Sequence, residues 1–262
     1  MARSTRRPPA PDPLQELVQL AGDLDLTALA QALPAILAKA EAEGLAFTDF
    51  ALALLRAEIT ARRDRSLTRG LRRAHLGTVE GLDGFDFAKR PQLEPRVVRE
   101  LLNCRFVEER RNVLCLGKPG LGKTRIAKAL AHAACTAGYS CLCVLTAEML
   151  EELHASQADR SFRRALRRYL KPQLLLLDEF AYEPFDLKAT TYLFRVVSAR
   201  HGQGSIVLTA NTGFSHWKTL FPSEPMAVAT VDRLVDRATI LRFTGETSRI
   251  QRKSSAHPSR TD

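Results

Sequence analysis

Residues 117–124 read Gly-Lys-Pro-Gly-Leu-Gly-Lys-Thr, which satisfies G-x-x-x-x-G-K-[ST], and they sit between an apolar run, Asn112–Leu116, and a stretch of helical period, Lys123–Ala137. No other feature of the chain limits its fold so sharply. A strand, a glycine-rich turn and a helix in that order bring backbone N–H groups and a helix N-terminus to one point, where they cradle a phosphate chain. Gly117, Lys118, Pro119, Gly120, Leu121 and Gly122 form the loop. Lys123 supplies positive charge for β and γ phosphates, Thr124 offers a hydroxyl to Mg²⁺, and Arg125 follows on the first helical turn. ATP and Mg²⁺ are the ligands this implies.

Such a loop belongs to a parallel sheet, and the rest of the chain supplies the strands. Apolar runs Asn112–Leu116, Ser140–Leu145, Gln173–Asp178, Ser205–Ala210 and Thr239–Phe243 alternate with segments of helical period such as Leu187–Ala199. Continuous apolar strands separated by helices are covered on both faces, so an α/β P-loop NTPase with a five-stranded parallel sheet is expected. Fifty-five positions after Lys123, the run Leu174–Leu177 ends in Asp178 and Glu179. Two carboxylates at the C-terminal end of a buried strand stand where α/β sheets hold ligands. Asp178 suits the metal shell together with Thr124, and Glu179 suits the orientation of an attacking water. An acid pair favours hydrolysis over phosphoryl transfer to a metabolite. Asn211, at the tip of the next strand, can hydrogen-bond the γ-phosphate or that water.

The first third of the chain has another texture. At about 100–200 residues per domain, 262 residues allow one large domain and a smaller appendage. Residues 1–13 are basic and proline-rich and read as a flexible tail. Apolar residues recur at three and four from Leu14 (Leu17, Val18, then Leu26, Leu29, Leu33), so 14–80 reads as a small all-helical domain for DNA or a partner. Asp83-Gly84 and Lys89-Arg90-Pro91 mark a linker at 81–95, the ATPase domain follows at 96–251, and 252–262 reads as a disordered tail.

Basic residues gather in two places. Arg56–Arg73 carries seven arginines against Glu58 and Asp64, of which Arg62, Arg63, Arg69, Arg72 and Arg73 are candidates for phosphate contact. A second helix holds Arg160, Arg163, Arg164, Arg167, Arg168 and Lys171 around Phe162, Leu166 and Leu170, apolar at i, i+4 and i+8, which would bury that stripe and present arginines elsewhere. The net charge of +10 suits a polyanion. With no zinc-finger or RNA-binding aromatic signature, duplex DNA held by its phosphate backbone is the expected partner. No apolar run of about 18 residues is present to cross a membrane, and the basic start lacks an apolar signal region. The five cysteines form no CxxC pair, so neither zinc nor a disulfide framework is indicated, and a cytoplasmic setting is expected. Cys141 and Cys143 read as small buried hydrophobes on one face of a strand.

Taken in order, these runs resemble the IstB-like AAA+ ATPases, helpers of insertion-sequence transposition related to the DnaC-type helicase loaders. The likeness spans roughly Leu33 to Lys253. It rests on Phe85-Asp86-Phe87, Asn112–Gly117, Asp178-Glu179-Phe180-Ala181-Tyr182-Glu183-Pro184, Ser198-Ala199-Arg200, Leu208–Asn211 with Phe214 and Trp217, Asp232-Arg233-Leu234, and Gly245-Glu246 with Arg249. The resemblance implies that Asn211 is a nucleotide sensor and that Arg233 is a finger reaching the ATP of a neighbouring subunit. It aligns Arg249 with a nucleotide-contacting arginine, although the family's preceding tyrosine is here Ser248. Lys118 stands where proline is usual, Arg125 where histidine is common and His201 where tyrosine is usual. No C-terminal helical lid is expected after the last strand.

The function implied is an ATP-dependent DNA-binding regulator that forms a homo-oligomer, ring or helical filament, on duplex DNA and recruits or activates a transposase, with hydrolysis controlling assembly. A DnaC-type replicative helicase loader is the alternative. A small-molecule P-loop kinase would need an acceptor-binding lid and no arginine finger.

Overall fold

The computed structural model describes residues 12–245. Most of the tail expected at 1–13, all of 252–262, Arg249 and the region that would follow the last strand lie outside the described residues, as does the side chain of Lys218. The chain divides into two compact units, one ending at Thr68 and the other starting at Arg69.

The first unit is helical, with α1 (Pro13–Asp23), α2 (Thr27–Glu43) and α3 (Phe47–Ala74), inside which the division falls. Asp12 starts α1 by accepting the N–H of Leu14 at 3.1 Å, and Pro13 fits the first helical position, where its missing N–H costs nothing. Leu26 offers α2 no side-chain cap, and Glu58 of α3 does so instead. Its Oε2 accepts the N–H groups of Ala28 and Leu29 at 2.9 and 3.0 Å, while Oε1 accepts from Arg62 and Arg65 at 2.8 and 3.1 Å. The Arg62 hydrogen bond and the N–H of Leu29 hold this carboxyl below the ordinary carboxylate range. Little apolar surface is covered: Ala21 and Leu33 are buried, whereas Leu17, Leu20, Leu24, Phe47, Leu52, Leu55 and Ile59 are exposed.

The second unit carries α4 (Pro95–Leu101) and α5 (Arg105–Glu108), then β1 (Val113–Gly117), α6 (Lys123–Thr136), β2 (Cys141–Leu145), α7 (Thr146–Ala155), α8 (Phe162–Leu170) and β3 (Leu174–Phe180). It continues with α9 (Leu187–Arg200), β4 (Ser205–Ala210), α10 (Phe214–Leu220), α11 (Glu224–Val235) and β5 (Thr239–Phe243). All strands pair in parallel, in the order β2-β3-β4-β1-β5. The five-stranded parallel sheet is therefore as expected from the apolar runs. Its leucines point to both covered faces, so β4 is buried throughout and Leu174–Leu177 of β3 are fully enclosed. Leu114, Leu177 and Leu208 pack with Tyr169, Leu193, Val196 and Trp217, and each such apolar side chain contributes about 1.5–3 kcal/mol by leaving water. Because β4 lies between β3 and β1, the C-terminal ends of these strands form one row beside the loop at 117–124.

The opposite edge of the sheet is closed by buried polar groups. Arg200, 1% exposed, donates to the carbonyls of Tyr169, Pro172, Gln173 and Ser205 at 2.8–3.1 Å, and burial lowers its pKa to about 10. Asn112 accepts the N–H of Ile206 at 2.9 Å and donates to the Leu234 carbonyl at 3.0 Å. Cys115 and Cys143 lie within strands, and burial pushes their thiols up to about 12 and 11, so both behave as small apolar residues. Among the described residues, no helix is long and apolar enough to cross a membrane and no group of three or more His, Cys, Asp or Glu could hold a metal.

Candidate nucleotide site

The loop at 117–124 joins β1 to α6, and glycine is required at both ends of it. A Cβ on Gly117 would lie 2.1 Å from the carbonyl oxygen of Phe243, its register partner on β5. Gly122 has φ +89, and a Cβ there would meet the Phe85 ring at 2.6 Å. Lys123 and Thr124 then open α6 with their side chains turned into the row of strand ends. The Lys123 ammonium donates to the Lys118 carbonyl and to Asn211 Oδ1, both at 2.9 Å. Thr124 Oγ1 donates to Asp178 Oδ1 at 3.0 Å. Four residues singled out in three separate parts of the sequence thus meet at one point.

The two carboxylates are parted by a β-bulge. Leu177 pairs with Leu208 and Phe180 with Ala210, so Asp178 and Glu179 together face the single residue Thr209. Asp178 is buried and points at Thr124, while Glu179, held at φ +53, is exposed. A non-glycine residue in that conformation is strained by about 1–3 kcal/mol and persists only where its surroundings fix it. Thr209 does the fixing: its hydroxyl donates to Asp178 Oδ1 and accepts the N–H of Glu179, the latter at 3.0 Å. Thr146 adds a bond to the Asp178 carbonyl at 3.0 Å. Thr209 is not among the residues expected at the site; its one signal in the sequence is a hydroxyl two residues before Asn211, after the apolar run Ile206–Leu208.

Residues 81–95, expected to be a linker, are packed against the loop as part of the second unit. Arg125 donates to the carbonyls of Gly81 and Asp83, its guanidinium lies 5.7 Å from the Phe85 ring centre, and buried Arg90 donates to the Leu121 carbonyl at 2.9 Å. Glu80, Phe85, Lys89 and Arg90 face Gly120–Arg125 across a cleft of about 470 Å³. Arg125, expected at the nucleotide, is thus engaged by the 80–85 segment.

With this geometry in view, comparison with known proteins is decisive. The IstB-like ATP binding protein family matches residues 19–256. The chain belongs to that family. It is 32% identical over 243 residues to an ATP-binding protein of insertion sequence IS21 from Pseudomonas aeruginosa, covering 93% of this chain and 92% of that one. It is 30% identical over 230 residues to the corresponding protein of insertion sequence IS5376 from Geobacillus stearothermophilus, covering 88% and 92%. Among solved structures the fold is similar to the DnaC helicase loader (TM-score 0.50, 17% identity, covering 57% of this chain and 87% of that one) and to DnaI (0.51, 19%, 57% and 84%). This IstB-like protein accordingly has an AAA+ P-loop fold.

Arg233 of the IstB-like chain is not among the groups gathered at Lys123. Its Nη1 donates to the Ala229 carbonyl one turn back on α11 at 2.8 Å, and its guanidinium lies 5.1 Å from the centre of the Phe194 ring. Asn112, just before β1, holds the neighbouring Leu234 carbonyl, so this end of α11 sits at the sheet edge opposite the loop. In α8, Ala165 and Tyr169 are buried and Phe162 and Leu166 partly so. The inward face therefore holds the expected Phe162 and Leu166 and is centred on Ala165 and Tyr169, which the spacing by fours did not include; Tyr169 buries its ring and still donates its hydroxyl to Glu152. Arg163, Arg164 and Arg167 are exposed, whereas Arg168 pairs with Glu152. In α3, Arg62 is engaged by Glu58, and Arg63, Arg69, Arg72 and Arg73 are exposed.

Proposed function

We propose that this IstB-like chain is a DNA-binding ATPase that assembles on duplex DNA and recruits or activates the transposase of an insertion sequence, hydrolysis controlling the assembly. The bulge at Asp178-Glu179 carries the reading. It turns one carboxylate inward onto Thr124 and leaves the next facing solvent, the division of labour that hydrolysis of a phosphoanhydride needs. Lys123 neutralises phosphate charge, Asn211 contacts the γ-phosphate or the water, and Glu179 orients and polarises that water. The Thr124 hydroxyl and Asp178 carboxylate are adjacent hard oxygen donors that fit Mg²⁺, which when bound would screen the phosphate charge.

Arg233, at the far edge of its own sheet, acts on the nucleotide of a neighbouring copy. Arg163, Arg164 and Arg167, with Arg63, Arg69, Arg72 and Arg73, contact DNA phosphates. The insertion-sequence setting of the relatives at 30–32% identity favours a transposase over a helicase as the protein partner.

Turnover of ATP with and without duplex DNA tests the proposal. Lys123→Ala loses nucleotide binding; Glu179→Gln keeps it and loses about 10²–10⁴-fold in turnover, the usual contribution of a positioned base. Arg233→Ala alone loses DNA-stimulated turnover, and mixing it with Lys123→Ala restores part of it through shared interfaces. Replacing Arg163, Arg164 and Arg167 by Gln lowers the slope of log K against log salt by about 0.9 per lost contact. Normal turnover in Glu179→Gln overturns the assignment.

A further inference from the structure

A phosphate loop presents N–H groups to its ligand only where its carbonyls are turned the other way. Three carbonyls of this loop have partners that hold them. Lys118 accepts from the Lys123 ammonium at 2.9 Å, Gly122 accepts the N–H of Ile126 at 3.1 Å as α6 begins, and Leu121 accepts from Arg90 Nε at 2.9 Å. The first two partners belong to the loop and its helix. The third stands 31 residues earlier in the chain.

The Leu121–Gly122 peptide is where such a partner matters. Gly120 and Gly122 flank Leu121 at φ +77 and +89, and glycine adopts either sign of φ at little cost, so this peptide plane can turn over while the Leu121 side chain stays buried. Because a trans peptide is planar, its carbonyl and its N–H point in opposite directions. A turned plane would put an oxygen where a phosphate needs a donor.

Arg90 is itself fixed. It is 5% exposed and its Nη1 donates to the Lys89 carbonyl at 2.8 Å. Its backbone closes two turns, Arg90 N–H to the Phe87 carbonyl and Leu93 N–H to the Arg90 carbonyl, both at 2.9 Å. Gly245 approaches the Lys89 carbonyl so closely that a Cβ there would lie 2.1 Å from the oxygen. The guanidinium that reaches Leu121 is therefore mounted on a part of the fold that does not move with the loop.

We propose that Arg90 is a positioning residue for the nucleotide: by holding the Leu121 carbonyl on its own side, it aims the Gly122 N–H the other way, into the concavity bordered by Lys123 and Thr124. Without Arg90 the plane populates both orientations, and apparent affinity falls with the fraction that is competent. The inference rests on the reading of 117–124 as a phosphate site and adds a residue to it; it requires neither hydrolysis nor DNA.

The test pairs calorimetric titration of the full chain, with Mg²⁺ and either inorganic tripolyphosphate or ATP, with the Gly122 amide signal in a nitrogen–proton NMR spectrum. In the wild type, saturating tripolyphosphate moves the Gly122 proton downfield as it bonds an anionic oxygen. Arg90→Met keeps an apolar stem and loses every donor; Arg90→Gln carries an amide too short to reach Leu121. Each should weaken tripolyphosphate and ATP alike by at least about 10-fold, the scale of one hydrogen bond to a charged group, and most of the downfield shift should be absent at saturation. Unchanged tripolyphosphate affinity in these variants overturns the inference. So does a loss confined to ATP, which would mean that Arg90 touches the base or ribose in the cleft it lines. Weakened binding with the full Gly122 shift at saturation overturns it as well, because Arg90 would then act through charge alone. A wild-type Gly122 signal that ignores saturating tripolyphosphate overturns it with no variant needed. None of these results touches the assignment of Glu179, which turnover in Glu179→Gln decides separately; normal turnover there, beside a 10-fold loss of binding in Arg90→Met, would remove the proposed hydrolysis and keep this inference.

Discussion

The two edges of the sheet both bury charge, and they use it in opposite ways. At one edge Arg200 spends its guanidinium on the carbonyls of Tyr169, Pro172, Gln173 and Ser205, and Asn112 ties Ile206 to Leu234. At the other, Lys123 divides its ammonium between the Lys118 carbonyl and the Asn211 side chain, and Thr124 and Thr209 meet Asp178 side chain to side chain. Backbone partners are fixed by the fold, whereas side-chain partners can exchange one another for the atoms of a ligand. What a buried charge bonds to, more than its burial, separates scaffold from site.

The largest effect should come from the scaffold edge. Arg200→Met leaves several buried carbonyls without a donor, at a cost of about 3–5 kcal/mol for a broken buried charge network. At about 2–4 °C per kcal/mol this lowers the melting temperature by roughly 6–20 °C, with turnover per folded molecule unchanged. A normal melting curve with slowed turnover would erase the contrast between the edges.

Thr209→Val probes the other side. It should lower kcat by about 10–100-fold, the scale of a misplaced reacting group, with little change in KM for ATP and a smaller thermal shift than Arg200→Met. Thr209→Ser keeps the hydroxyl and restores kcat; a Ser variant as slow as Val would mean that Thr209 acts through packing alone.

Glu58 extends the comparison to the first unit as another charge spent on backbone. Its carboxyl is held below the ordinary value of 4.5 by Arg62 and the N–H of Leu29, so its contribution to folding is complete above that pH and fades as pH falls through the lowered value. Glu58→Gln should flatten the acid limb of helix stability followed by circular dichroism. Unchanged acid sensitivity would return the bond to the status of a surface pair.

The parts of the molecule that repeat a local rule were legible before any coordinates. Each apolar run became a strand because parallel strands are buried on both faces, and the loop glycines announced both a turn and a phosphate site. Asp178 and Asn211 could be read because a strand end fixes where a side chain emerges. Strand order could not be read, since the crossovers that put β1 between β4 and β5 leave no periodic trace. Thr209 was hidden because a threonine in a strand is ordinary filler until a bulge brings two carboxylates to it. Tyr169 was hidden because spacing by fours selects leucines, while its ring and hydroxyl serve core and Glu152 together. Arg200, at a helix C-terminus, reads as a solvated cation until its carbonyl partners are known.

The first glycine of the phosphate loop carries a message of another kind. Gly117 is denied a side chain by Phe243, a residue of the neighbouring strand more than a hundred positions away, whose carbonyl oxygen would be 2.1 Å from any Cβ. That letter of the motif is dictated by sheet architecture rather than by a ligand. Finding it in a bare string of amino acids therefore reports topology along with chemistry: some later stretch must return to lie against the end of the first strand.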